Sequence, residues 1–78
     1  MSDMQIEAMI ASPPERDELV VQLFVKDGGQ WGEIYRKNDE YVIDIYVTAS
    51  MCVCTSVENL IQTLVHSRQK LRDRLEAS

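Results

Sequence analysis

Three runs of the chain, residues 19–26, 31–37 and 41–48, alternate as β-strands do, and both of their faces carry apolar side chains. If Leu19, Val21, Leu23 and Val25 point one way, Val20, Gln22, Phe24 and Lys26 point the other, because side chains alternate along a strand. In the third run Tyr41, Ile43, Ile45 and Val47 alternate with Val42, Asp44, Tyr46 and Thr48. Placing Ile34 with the aliphatic set puts Trp31, Glu33 and Tyr35 beside Phe24 and Tyr46. A slip of one residue in the middle run would exchange its faces. In this register four of the five aromatic residues share one side of a small sheet. Such a sheet needs cover on both faces, and one helix can supply it on one. The other cover falls to the segment 4–11, a second copy, or a partner.

The helix is plain in the sequence. Thr55-Ser-Val-Glu58 reads as a capping box, with Thr55 and Glu58 meeting the free amides of a first turn. Val57, Leu60, Ile61, Leu64, Val65, Leu71 and Leu75 then fall at helical spacing, interrupted by Arg68. Cations crowd the last turns, where they favour the negative end of the helix dipole. About 20 helical residues span roughly 30 Å, against about 23 Å for a seven-residue strand. The helix should therefore overhang the sheet and leave Leu71 or Leu75 for self-association.

The remaining segments complete an α+β chain. Met4, Ile6, Ala8 and Ile10 alternate with Gln5, Glu7, Met9 and Ala11, a strand pattern that Pro13-Pro14 ends. Ser12-Pro-Pro-Glu15 could cap one short helical turn. Asp27-Gly28-Gly29-Gln30 and Asn38-Asp39 mark two tight turns, the first through the positive φ open to glycine. A short last strand is expected at Met51 to Cys54. The expected fold is an antiparallel meander of three to five strands with one long C-terminal amphipathic helix on one face, in a single domain over 1–78.

Charge narrows the function. Residues 1–65 carry four basic and eleven acidic side chains, whereas 66–78 carry Arg68, Lys70, Arg72 and Arg74 against Asp73 and Glu76. Nucleic-acid binding rests on neutralising phosphates, so an acidic body argues against it and for a basic protein partner. No apolar run approaches the ~20 residues of a membrane span. No secretion signal is visible at Met1-Ser-Asp-Met-Gln, so the expected setting is cytoplasmic. A chain of 78 residues buries a small core, and a homodimer is expected.

Catalytic and metal readings are weak. Cys52 and Cys54 are spaced unlike zinc ligands, and His66 is the one histidine, so no metal or other cofactor is expected. Gly28-Gly29 joins two strands rather than leading into a helix, unlike a phosphate-binding loop. Glu33 and Asp44 could approach each other as an acid–base pair, but solubilising charges on an exposed strand are the commoner use. The expected partner-binding residues are Phe24, Trp31, Glu33, Tyr35, Asp44 and Tyr46. The alternative is a small enzyme using the two carboxylates or a cysteine in a cleft at a dimer interface.

Ile6-Glu-Ala8, Pro13-Pro14-Glu15-Arg16, Leu19-Val20, Gln30-Trp-Gly-Glu-Ile34 and Ile43-Asp-Ile-Tyr46, followed by the closing helix, together resemble small bacterial immunity-type and antitoxin-type proteins. The resemblance implies a non-catalytic protein that binds and blocks a toxin, many such toxins being basic nucleases. The segment 48–55 carries no part of it.

Overall fold

The computed structural model describes residues 5–26, 28–46 and 52–77. Four strands, β1 (Ile6–Ala11), β2 (Val20–Val25), β3 (Gln30–Lys37) and β4 (Glu40–Ile45), are followed by one helix, α1 (Val57–Glu76). The strands form a single antiparallel sheet in the order β1-β2-β3-β4. Every strand thus pairs with its neighbour in sequence, as short connections favour. The expected α+β meander with a C-terminal helix is what the chain adopts. No strand forms over 52–54, and Met51, Val47 and Thr48 lie outside the described residues.

The two hairpins turn by different means. Lys37 pairs with Glu40 across a two-residue loop, and Asn38 and Asp39 both have positive φ, at 52° and 67°. That is the backbone a tight hairpin requires, and Asn and Asp tolerate it well. At the β2–β3 turn, by contrast, neither Gly28 nor Gly29 has positive φ. Glycine there serves to make room, since a Cβ on Gly28 would lie 2.4 Å from Val25 Cγ2.

The core forms between α1 and one face of the sheet. Val21, Leu23, Val25, Trp31, Ile34 and Leu71 make its buried centre, with Ile6, Ile10, Tyr41, Ile43, Leu60, Leu64 and Leu75 packed around it. Gly32 stands opposite Leu23 in the ladder, and a Cβ on it would meet the Asp44 carbonyl oxygen at 3.1 Å and Leu23 Cδ1 at 3.4 Å. Burying side chains such as Leu23 and Leu71 contributes about 1.5–3 kcal/mol apiece.

Two expectations about α1 need correction. Its N-cap is Ser56, whose hydroxyl accepts from the Asn59 amide at 3.0 Å, while the Asn59 side chain donates to Thr55 Oγ1 at 2.7 Å. The cap thus falls one residue later than a Thr55–Glu58 box would place it. Nor does the C-terminal half overhang: Leu71 is fully buried, and Ser67 and Leu71 are the helix's two buried residues. Ser67 is small enough for the helix to sit close to the sheet there. The loosely covered half is the first, where Val57, Ile61 and Val65 stay exposed. Leu71 is therefore core, and Leu75 packs half-buried against the same cluster.

Candidate binding surface

On the sheet face away from the helix, the ladder sets Gln22 opposite Glu33 and Glu33 opposite Asp44. The two carboxylates do meet across the sheet, as the alternation suggested. Like charges directly opposite destabilise a sheet, so the pair needs a cation. The β1–β2 loop, residues 12–19, supplies it.

Pro13 and Pro14 turn this loop sharply, with the Arg16 amide donating to the Pro13 carbonyl at 3.2 Å. The turn sends the Arg16 side chain back over the sheet. Its Nε donates to Glu33 Oε1 at 2.9 Å, one terminal nitrogen lies 2.6 Å from the same oxygen, and that nitrogen also reaches Asp44 Oδ2 at 3.4 Å. The guanidinium stacks on the Tyr35 ring, 3.8 Å from its centroid, a cation–π placement. Tyr35 in turn donates its hydroxyl to Asp44 Oδ1 at 3.2 Å. Burial works to lower the Arg16 pKa, but the bond to Glu33 and the charges of Glu33 and Tyr35 outweigh it, and the guanidinium is held above its ordinary value. A second clasp pairs Arg36 on β3 with Glu18 in the same loop; the bond to Glu18 is the largest influence that raises the Arg36 pKa.

The six expected binding residues therefore divide. Glu33, Tyr35 and Asp44 are joined through Arg16, with Glu33 itself only 4% exposed. Tyr46 stands exposed within electrostatic reach of that cluster, and its phenol is raised above the ordinary value, first by loss of surrounding water and then by the negative charges of Glu33 and Asp44. Phe24 is half-buried opposite Glu7.

Trp31 departs from expectation. Leu23 pairs with Gly32 and Phe24 with Gln30, so Trp31 has no residue of its own to face on β2. This bulge interrupts the alternation that placed it with Glu33 and Tyr35 on the aromatic face. Trp31 is 5% exposed and belongs to the core cluster, with its indole N–H lacking a hydrogen-bond partner. Trp31 was expected among the partner-binding residues, but in the single chain it is a core residue.

Sequence reasoning missed Arg16 as the organiser of this face. A signal existed: it is the one cation in the first 25 residues, two positions after Pro13-Pro14. Met9, exposed and opposite Gln22 on the same face, was also missed.

The Arg16 guanidinium bridges Glu33 and Asp44, so the two carboxylates share one cation. Cys52, Cys54 and His66 are exposed, and among the described residues no three His, Cys, Asp or Glu side chains are grouped to hold a metal ion. No described helix is long and apolar enough to cross a membrane. Compared with protein-family models, curated proteins and solved structures, the chain matches none.

Proposed function

We propose that the chain is a small, non-catalytic protein-binding module of the cytoplasm, whose helix-free sheet face receives a basic protein partner. This is the role of the immunity-type and antitoxin-type proteins that its sequence resembles. The observation that carries the reading is the incomplete cover of that face. One loop reaches over it through Arg16, leaving Met9 60% exposed at the β1 edge and Tyr46 41% exposed past the end of β4, with Phe24 and Tyr35 half-buried on the strands between. Met9 and Tyr46 thus flank the polar row of Gln22, Glu33 and Asp44 from the two edges of the sheet, a mix of apolar, aromatic and polar groups of the kind protein interfaces use. The chain's net charge of −5 would draw a basic partner toward it.

The enzyme alternative has less behind it, because its two carboxylates already share an internal arginine. Affinity capture from the source cells tests the binding reading. The wild-type chain should retain a basic protein at low salt and release it at high salt. A Met9→Glu/Tyr46→Ser variant with an unchanged melt should not retain it. If both forms retain the same proteins, this face is not the binding surface.

A further inference from the structure

Strand β4 is one edge of the sheet, and among the described residues no strand pairs with its outer side. The Tyr46 amide donates to the Trp31 carbonyl at 2.9 Å, continuing a ladder in which Glu33 faces Asp44 and Tyr35 faces Val42. In an antiparallel ladder, residues bonded to one neighbour alternate with residues whose backbone groups point the other way. Positions 40, 42, 44 and 46 thus turn toward β3, and Tyr41, Ile43 and Ile45 present their amides and carbonyls outward. The strand contains no proline or lysine, and its pairing with β3 shows no bulge. Those are three of the usual protections of an edge; the strand's charges are Glu40 and Asp44.

The same strand lies at the margin of the helix's cover. Helix α1 packs chiefly on β1, β2 and β3. Tyr41, Ile43, Leu64 and Val65 line a shallow groove of about 150 Å³ between β4 and α1. Ile45 is 59% exposed, and Ile61 and Val65 stand exposed on the helix.

We propose that a second copy of this chain docks on the outer edge of β4, joining the two sheets into one continuous antiparallel sheet about a two-fold axis. Charge selects the register. Outward backbone groups meet only when 41, 43 and 45 face one another, so near the strand's middle the axis must pass Val42, Ile43 or Asp44. An axis at Val42 sets Glu40 opposite Asp44 of the other copy, twice. An axis at Asp44 sets that carboxylate opposite its own counterpart. Both oppose like charges directly, which is unfavourable. The axis at Ile43 opposes none. It sets Ile43 against its counterpart, Val42 against Asp44, and Tyr41 against Ile45, giving that exposed isoleucine an aromatic cover. Aromatic and β-branched cross-strand pairs are favourable, and a self-complementary patch is what a two-fold dimer requires.

This dimer uses the sheet edge rather than the face assigned to a basic partner, so either proposal can fail alone. Sedimentation equilibrium on the whole chain should give twice the 9.0 kDa chain mass. Val42→Lys sets a lysine opposite Asp44 and should tighten the dimer; Val42→Asp opposes two acids and should weaken it. Each effect should be roughly fivefold, since every substitution acts twice across the axis. A general disturbance of the fold would move both variants the same way. Hydrogen exchange at Tyr41, Ile43 and Ile45 should slow as concentration rises. A monomer at every concentration up to about 1 mM would overturn the proposal. So would a dimer in which those three amides exchange freely or both variants shift association alike.

Discussion

Arg16 Nε donates to Glu33 Oε1 at 2.9 Å across 17 residues of sequence, tying the β1–β2 loop to the middle of the sheet. Glu33 is 4% exposed, so its carboxylate depends on this partner.

Replacing Arg16 with Met should cost about 1–3 kcal/mol, the penalty for leaving a buried polar group without its bond. Glu33→Gln in the Arg16→Met background should recover part of that loss, because a neutral amide is easier to bury than an unpaired charge. A double-mutant cycle by urea unfolding measures the coupling. Additive losses from the two substitutions would show that the pair is incidental.

The fold was more legible than the site, and for a physical reason. Strand alternation, the Asn38-Asp39 turn and the helical spacing after Ser56 are local signals, and each produced the element it announced. Which side chain meets which across the chain is a long-range matter. The Glu33–Asp44 approach was readable because a two-residue hairpin fixes its register. Trp31 was not, since the bulge that frees it from alternation leaves no mark in sequence. Leu71 was misjudged because lengths alone do not say where along the helix the sheet makes contact. Arg16 was legible in principle, as the single early cation of an acidic segment.

Trp31 serves as a reporter of folding rather than of binding. Its emission should be that of a buried indole in the free chain and shift to the red on unfolding. Trp31→Phe should change stability by less than about 1 kcal/mol, because it removes a donor that has no partner. Trp31→Ala should cost about 3–5 kcal/mol. A water-exposed emission spectrum in the native chain would contradict its burial.

Tyr46 gives the chain an alkaline limit. Its folded phenol titrates above the ordinary value of 10.0, so the folded state favours the neutral form. That contribution to stability is fully present below pH 10 and is lost as pH rises through the folded value. Wild-type stability should therefore fall more steeply above pH 10 than that of Tyr46→Phe. Parallel declines for the two proteins, followed by chemical denaturation at stepped pH, would show that the fold does not hold the Tyr46 phenol above its ordinary value.

The binding face is tested most directly by placing a photoreactive side chain at Met9, on the helix-free side of the sheet, or at Gln62, exposed on α1. In the source cells the Met9 probe should crosslink to one predominant basic protein, and the Gln62 probe should not. Crosslinking of a specific partner from Gln62 alone, or none from Met9, would contradict a binding function for this face.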